Sequence, residues 1–88
     1  MYLAKVIGTV VSTSKDERLV GFKLLLTRRL DEAGEETAIP EVCVDTVGAG
    51  TGETVIITKG SSARFAASRP DAPLDATVVG IVDTVEIG

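Results

Sequence analysis

The chain has 88 residues, of which 44% are hydrophobic and 25% charged, with a formal net charge of −4 and no histidine. This composition is typical of one globular domain, over residues 1–88, and excludes a disordered chain or a second domain of ordinary size. The absence of histidine removes the usual general base at neutral pH and the commonest ligand of catalytic zinc, while the negative charge opposes binding to DNA or RNA.

Location and redox state are constrained by three further features of the sequence. No apolar run approaches the roughly 20 residues of a membrane-spanning helix. The N-terminus carries no basic stretch, apolar core and cleavage site of a signal peptide, so we expect a cytoplasmic protein without membrane contact. Cys43 is the only cysteine, which excludes an intramolecular disulfide, and its neighbours Val42 and Val44 indicate a buried core or interface residue.

The first half of the chain predicts three strands. Residues 2–13 alternate around β-branched side chains and predict a long first strand. The mostly polar residues 14–21 end in glycine and indicate a turn, after which residues 22–30 form the second strand. Pro40 then begins a third strand that runs to Asp45.

The second half predicts a glycine-rich turn, a strand, a short helix, a loop and a last strand, over residues 46–52, 53–59, 60–67, 68–74 and 75–87 respectively. Ser61 follows Gly60 before an alanine-rich stretch, and we expect it to be the N-cap of the helix. Pro70 and Pro73 cannot extend that helix, so the chain is expected to form a connecting loop there.

Five strands and one short helix lack the alternating helices that a parallel sheet requires. We therefore predict a mainly all-β fold, a five-stranded antiparallel β-barrel of the OB type. On the first strand Leu3 and Ile7 oppose Val6, and the last strand is likewise apolar on both faces. Because a small barrel has one interior, we expect identical copies to cover the outer apolar faces.

Two motifs could carry chemistry, and a structural role is favoured for each. The segment Gly48-Ala49-Gly50-Thr51-Gly52 is unlike a phosphate-binding loop, since no helix follows it and no lysine-serine or lysine-threonine pair completes it. It indicates a tight turn or a close approach between backbones. The segment Gly60-Ser61-Ser62-Ala63-Arg64 could bind an anion at the start of a helix. We favour a structural role, in which Ser61 caps the helix and Arg64 pairs with a carboxylate of this or an adjacent subunit.

No catalytic residue, cofactor or metal site is predicted. The serines have no histidine or lysine partner that could act as a base, and Asp75 and Asp83 are expected at strand ends. The acidic residues 31–36 indicate a solvated hairpin tip. An OB-type module that binds single-stranded nucleic acid or an anion stays open as an alternative, although aromatic residues are few and both phenylalanines, Phe22 and Phe65, are expected in the core.

Several segments together carry a resemblance to a known family. They are Val6-Ile7-Gly8-Thr9-Val10-Val11-Ser12-Thr13-Ser14-Lys15, Leu19-Val20-Gly21-Phe22-Lys23-Leu24-Leu25, Asp45-Thr46-Val47-Gly48-Ala49-Gly50-Thr51-Gly52-Glu53, Gly60-Ser61-Ser62-Ala63-Arg64, Pro73-Leu74-Asp75-Ala76 and Gly80-Ile81-Val82-Asp83. With these segments the chain resembles, over nearly its whole length, the pentameric shell proteins related to the carboxysome protein CcmL and the ethanolamine-utilisation protein EutN.

The resemblance implies a five-stranded barrel with a short helix, five copies of which form a truncated pyramid. Such homopentamers are inserted among hexameric shell proteins at the icosahedral vertices of a bacterial microcompartment, inside the bacterial cytoplasm. This structural role needs no enzyme activity. Carried over to this chain, the resemblance implies a close-packed loop and a set of subunit or pentamer–hexamer contacts, with candidates Gly48, Ala49 and Gly50 for the loop and Ser61, Ser62 and Arg64 for the contacts.

Overall fold

The computed structural model describes residues 1–37 and 39–88. Its elements in chain order are β1 (Tyr2–Val10), a 3-10 turn (Glu17–Leu19), β2 (Lys23–Arg29), β3 (Glu41–Asp45), β4 (Thr54–Lys59), α1 (Gly60–Ala66) and β5 (Ala76–Val82). The predicted strands and helix are confirmed, but the first and last strands are shorter than predicted. The β1–β2 ladder ends at Val10 and the β4–β5 ladder at Val82, because beyond these residues no strand lies alongside.

The strands close into a barrel in the order β1-β2-β3-β5-β4, which confirms the predicted fold class. Every pairing is antiparallel except that of β3 with β5, where Val44 pairs with Thr77 and Asp45 with Val78 in parallel. The prediction of antiparallel strands throughout was wrong at this one seam. A closed ring of five strands cannot alternate in direction all the way round, so one neighbouring pair must be parallel.

Two apolar clusters hold the molecule together. The barrel interior is filled by buried side chains from every strand: Ala4, Val6, Leu25, Cys43, Val55, Ile57, Ala76 and Val78, together with Ala49 from the loop after β3. A second cluster lies outside the barrel, where Ala63 of α1 and Leu74 of the following loop pack against Val44 and Leu24. The protomer's own helix therefore covers part of the outer barrel face that we expected identical copies to cover.

The prediction that both phenylalanines belong to the core was wrong for Phe65. Phe22 is half-buried against the second cluster, whereas Phe65 is 80% exposed on α1. The helix turns its Ala63 side chain toward the barrel, and a residue two positions further along points to nearly the opposite side of a helix. Phe65 is therefore a surface residue of the isolated protomer.

The N-cap of α1 is not Ser61, as predicted, but Lys59, whose side chain makes no capping hydrogen bond. Strand β4 runs directly into the helix, and Gly60 makes the turn between them with a φ of +67°. The last residue of the strand therefore occupies the capping position. Ser61 lies inside the first helical turn, with its side chain exposed.

Candidate assembly surfaces

The glycine-rich loop of residues 46–52 is held by the carboxylate of Asp45, the last residue of β3. One carboxylate oxygen of Asp45 accepts a hydrogen bond from the N–H of Val47 at 3.1 Å, and the other accepts one from the N–H of Ala49 at 2.9 Å. The Ala49 side chain is fully buried in the barrel core, and Gly48 beside it has a φ of +80°. The loop is thus fixed by its own backbone and by its neighbours.

Further hydrogen bonds tie this loop to the barrel. The Lys23 ammonium donates to the Ala49 carbonyl at 2.7 Å, the Gly50 N–H donates to the Glu53 carboxylate at 2.7 Å, and the Gly52 N–H donates to the Val6 carbonyl at 2.8 Å. A phosphate would need amide groups that this loop has already bonded to carboxylates. The prediction of a structural turn is confirmed.

On helix α1, the three candidate contact residues have different surroundings. Ser61 and Ser62 are exposed, whereas Arg64 is half-buried and donates through Nη1 to the carbonyl of Leu74 at 3.1 Å. Within its own protomer, Arg64 therefore bonds a backbone carbonyl and not the predicted carboxylate. Its pairing with an adjacent subunit stays a prediction.

A third surface, which the sequence did not predict, lies at the end of the barrel where β1, β3 and β5 begin and β2 and β4 end; we name it the lower end. Glu41 accepts hydrogen bonds there from the Tyr2 hydroxyl and the Lys59 ammonium, and Asp75 lies 3.4 Å from the same ammonium. The Arg29 guanidinium stacks 4.3 Å from the centroid of the Tyr2 ring. Polar and charged groups from four strands thus lie together at the lower end.

The electrostatics of the lower end follow from this arrangement. Burial, together with the bond to Glu41, raises the pKa of the Tyr2 hydroxyl above its usual range, and the bond to Glu41 raises the pKa of Lys59. Both groups therefore keep their protons through the physiological range. Lys59 compensates the charge of Glu41, while Arg29 forms no ion pair with any residue that the structure describes.

A cleft of about 580 Å³ opens at the lower end. We call it the lower cleft; its lining residues are Met1, Tyr2, Arg29, Thr37, Ile39, Pro40, Glu41 and Lys59. These residues are scattered along the sequence, and no motif joins them. One signal in the sequence could have found two of the polar groups. Tyr2 lies two residues before the core residue Ala4, and Lys59 lies two residues after the core residue Ile57, so both side chains are on the inward-facing side of their strands.

Cys43 is a core residue, as predicted. Its side chain is 1% exposed, and its sulfur lies 3.2 Å from the Thr27 hydroxyl inside the barrel. Burial raises the pKa of the thiol to about 11, so the thiolate that would react with oxidants or metals is not formed at neutral pH.

The carboxylates expected at turns and strand ends lie there. Asp75 comes directly before β5 and Asp83 directly after it, and Asp31 accepts hydrogen bonds from the N–H groups of Ala33 and Glu35, both at 2.9 Å, in the acidic turn. Among the described residues, no group of three or more His, Cys, Asp or Glu side chains could hold a metal ion. Within the same residues, no helix has the length and apolar character needed to cross a membrane.

Large apolar side chains remain on the surface of the isolated protomer. Val11, Phe65 and Ile87 are at least 80% exposed, and Val42 and Val85 are about half exposed. Exposure on this scale in so small a barrel is typical of a subunit that binds another protein surface. The fold and its surface together define a β-barrel building block for assembly.

Comparisons with known proteins agree with this class. The family model described as ethanolamine utilisation protein EutN/carboxysome matches residues 1–83. The shell vertex protein GrpN of Rhodospirillum rubrum is 59% identical over 86 residues, which cover 98% of this chain and 97% of GrpN. The shell vertex protein PduN of Salmonella typhimurium is 54% identical, over 97% of this chain and 98% of PduN.

The solved structures point the same way. The structure of the pentameric microcompartment shell protein GrpN from Rhodospirillum rubrum matches with a TM-score of 0.91 and 58% identity over the whole of both chains. The structure of CcmL from Gloeobacter violaceus matches with a TM-score of 0.93 and 46% identity, over 99% of this chain and 90% of that one. The chain belongs to the EutN/CcmL family. These relatives are shell vertex proteins of bacterial microcompartments, a structural and not an enzymatic class.

Proposed function

We propose that this chain forms a homopentamer that caps the vertices of a bacterial microcompartment shell, where hexameric shell proteins surround it. The observation that carries the proposal is the match to pentameric GrpN over the whole of both chains. Five copies around a rotation axis repeat one head-to-tail interface, and the ring closes when the last copy meets the first. A fivefold unit among hexamers supplies the curvature that a flat hexameric sheet lacks.

The surfaces described above support this geometric mechanism. A shell subunit needs rigid, complementary sides, and the loop of residues 46–52 is rigid because Asp45, Glu53 and Lys23 hold its backbone. Ala49 fills the core of its own protomer, so it would contribute by fixing the loop. The proposed contact residues are Gly48, Gly50, Ser61, Ser62 and Arg64, with Ala49 as the residue that fixes the loop.

Exposed apolar side chains provide a driving force for the ring. Burying one valine or phenylalanine side chain contributes roughly 1.5–3 kcal/mol. Val42 is 50% exposed and Phe65 is 80% exposed in the isolated protomer. Repeated at each of the interfaces of a ring, even partial burial of such side chains offsets the entropy lost on association.

Native mass spectrometry of the purified chain tests the pentamer. We expect one dominant species of about 45 kDa, five times the 9.1 kDa subunit. A stable monomer across micromolar concentrations would end the proposal. Co-expression with a hexameric shell protein tests the vertex role: closed shells should form with this chain, and open sheets or tubes without it.

The rival binding functions have weaker support. Net charge is −4, and three amide groups of the glycine-rich loop, those of Val47, Ala49 and Gly50, are bonded to carboxylates. We expect no salt-sensitive binding of a fluorescent single-stranded oligonucleotide, and no rise in thermal stability with sulfate or phosphate. A clear gain in either assay would favour the binding module.

A further inference from the structure

Residues 83–88 continue beyond β5 as a tail outside the strands and the helix. The tail alternates apolar Val85 and Ile87, which are 56% and 80% exposed, with polar Thr84 and Glu86. This period of two is the pattern of a strand with two different faces. Asp83 and Glu86 form no ion pair with the described residues. The tail thus carries apolar and acidic groups that have no partner in its own protomer.

The lower cleft offers the complementary chemistry. Its rim carries Met1, Ile39 and Pro40, and the first two are 87% and 86% exposed. Its cations are Lys59, which already has Glu41 and Asp75 as partners, and Arg29, which has no carboxylate partner among the described residues. An extended segment in a cleft contacts the walls with both of its faces, so an acidic, aliphatic tail matches Arg29 in charge and the apolar rim in polarity.

In its own protomer the tail stays outside the lower cleft: none of residues 83–88 lines the cleft, and all of them are exposed. Strand β5 starts at the lower end, where Ala76 pairs with Lys59, and finishes at the opposite end with Val82. Six residue steps of a strand span roughly 20 Å. Ile87 lies five residues beyond Val82 and reaches at most about 18 Å from it, and Glu86 less. The tail backbone thus falls short of the level of Ala76, and another copy of the chain can supply the occupant.

We infer that the tail of each protomer binds in the lower cleft of its neighbour, with Glu86 paired to Arg29 and with Val85 and Ile87 packed on the apolar rim. This inference rests on the proposed pentamer, whose single interface it would complete. The contact joins two different surfaces of the protomer, which makes it a head-to-tail contact of the kind that a cyclic ring repeats. A second copy of the chain thus supplies part of each site.

Charge reversal tests the pair directly. We expect Glu86→Arg, and separately Arg29→Glu, to raise the concentration needed for half-assembly by about tenfold or more, because each places like charges together. The double variant Arg29→Glu/Glu86→Arg should recover most of the loss. Sedimentation velocity across a dilution series measures the assembly. Glu32→Arg makes the same charge change on the exposed acidic turn, and this control should assemble like wild type.

Cross-linking tests the location. In a Cys43→Ala background, subunits that carry Ile87→Cys are mixed with subunits that carry Ile39→Cys, then oxidised and separated on a denaturing gel. We expect dimers that contain one subunit of each kind. A single chain with both cysteines should form a ladder of covalent oligomers. A disulfide within one chain, or no disulfide, would overturn the inference.

The outcomes separate the two proposals. A wild-type chain that stays monomeric removes the pentamer and the tail contact together. A wild-type pentamer that survives Glu86→Arg and Arg29→Glu unchanged removes the tail contact alone. Circular dichroism checks that each variant keeps the barrel, and if Arg29→Glu unfolds through loss of the Tyr2 stacking, Glu86→Arg and the cross-link decide the result.

Discussion

Cys43 lies in the middle of β3, where its sulfur faces the Thr27 hydroxyl inside the barrel. A thiol held there is a packing group, and its chemistry is suppressed because burial disfavours the charged thiolate. The same physics acts at the lower end, where burial and Glu41 raise the pKa of Tyr2. Burial thus keeps both the Cys43 thiol and the Tyr2 hydroxyl protonated, because each charged form would lose its contact with water.

We expect the free energy of unfolding to fall as pH rises from about 9 to about 11. Burial raises the pKa of the Cys43 thiol from 9.0 to about 11, so in this window the unfolded chain loses a proton that the folded chain retains. Below pH 9 the thiol contributes no pH dependence. Tyr2 acts in the same direction at higher pH. Urea unfolding at fixed protein concentration and stepped pH measures the slope.

The variant Cys43→Ala is the control for this pH dependence. It should lose the part of the slope between pH 9 and 11 that belongs to the thiol, and keep the part that belongs to Tyr2. An identical slope in wild type and variant would mean that the thiol does not titrate as its burial requires.

Among the elements, the loop of residues 46–52 is held by hydrogen bonds from both of its ends and from the barrel. Its glycines were visible in the sequence, and so was their structural role. The sequence analysis did not predict that Asp45 and Glu53 bond to its amides, although these contacts are local. The bonds from Lys23 to Ala49 and from Gly52 to Val6 could not be predicted, because they depend on how the loop lies against the barrel. Ala49 owes its burial to the same fold.

Gly48→Ala should lower the free energy of unfolding by about 1–2 kcal/mol, because an alanine is strained in the left-handed conformation. Gly48 has a φ of +80°, and a Cβ atom there would meet nothing within 4 Å, so the cost comes from the backbone alone. Gly8→Ala is the matched control, since it has the same open space without a positive φ. Equal costs for both variants in urea unfolding would refute the argument.

Helix α1 illustrates how tertiary structure overrides a local signal. Gly60-Ser61 predicted the position of the helix correctly, but β4 enters it without a break, so Lys59 takes the capping position. The barrel surface selects the small Ala63 for the buried side and leaves Phe65 exposed. Only the packing direction decides which of these two side chains a partner can reach.

At the scale of the whole molecule, the sequence predicted an oligomer because two strands are apolar on both faces. The structure refines that reasoning: α1 and the loop after it bury Val44 from outside, and the remaining exposed apolar groups include Phe65, Val85 and Ile87. The apolar surface available to partners is therefore smaller than the strand pattern suggested. Most of it lies on residues outside the strands.

Arg64→Ala should reduce incorporation into shells more than it reduces folding stability. Arg64 makes one hydrogen bond to the Leu74 carbonyl, the loss of which costs about 1 kcal/mol. Any larger effect on assembly belongs to contacts outside the protomer. Arg69→Ala is the control, because it removes the same charge from a side chain that stacks on Phe22. Co-purification of the tagged variants with shells measures incorporation, and unchanged incorporation of Arg64→Ala rejects the interface role.

By itself the sequence determined the existence of the strands, the helix and the glycine turn, since each follows from local alternation, from glycine and proline, or from side-chain size. It also determined the family, because each motif of that family is a run of adjacent residues that can be recognised without the fold. Tertiary structure alone decided the parallel seam between β3 and β5, the exposure of Phe65 and the lower cleft. The cleft joins Tyr2, Arg29 and Lys59 from three different strands, and only closure of the barrel brings the ends of those strands together.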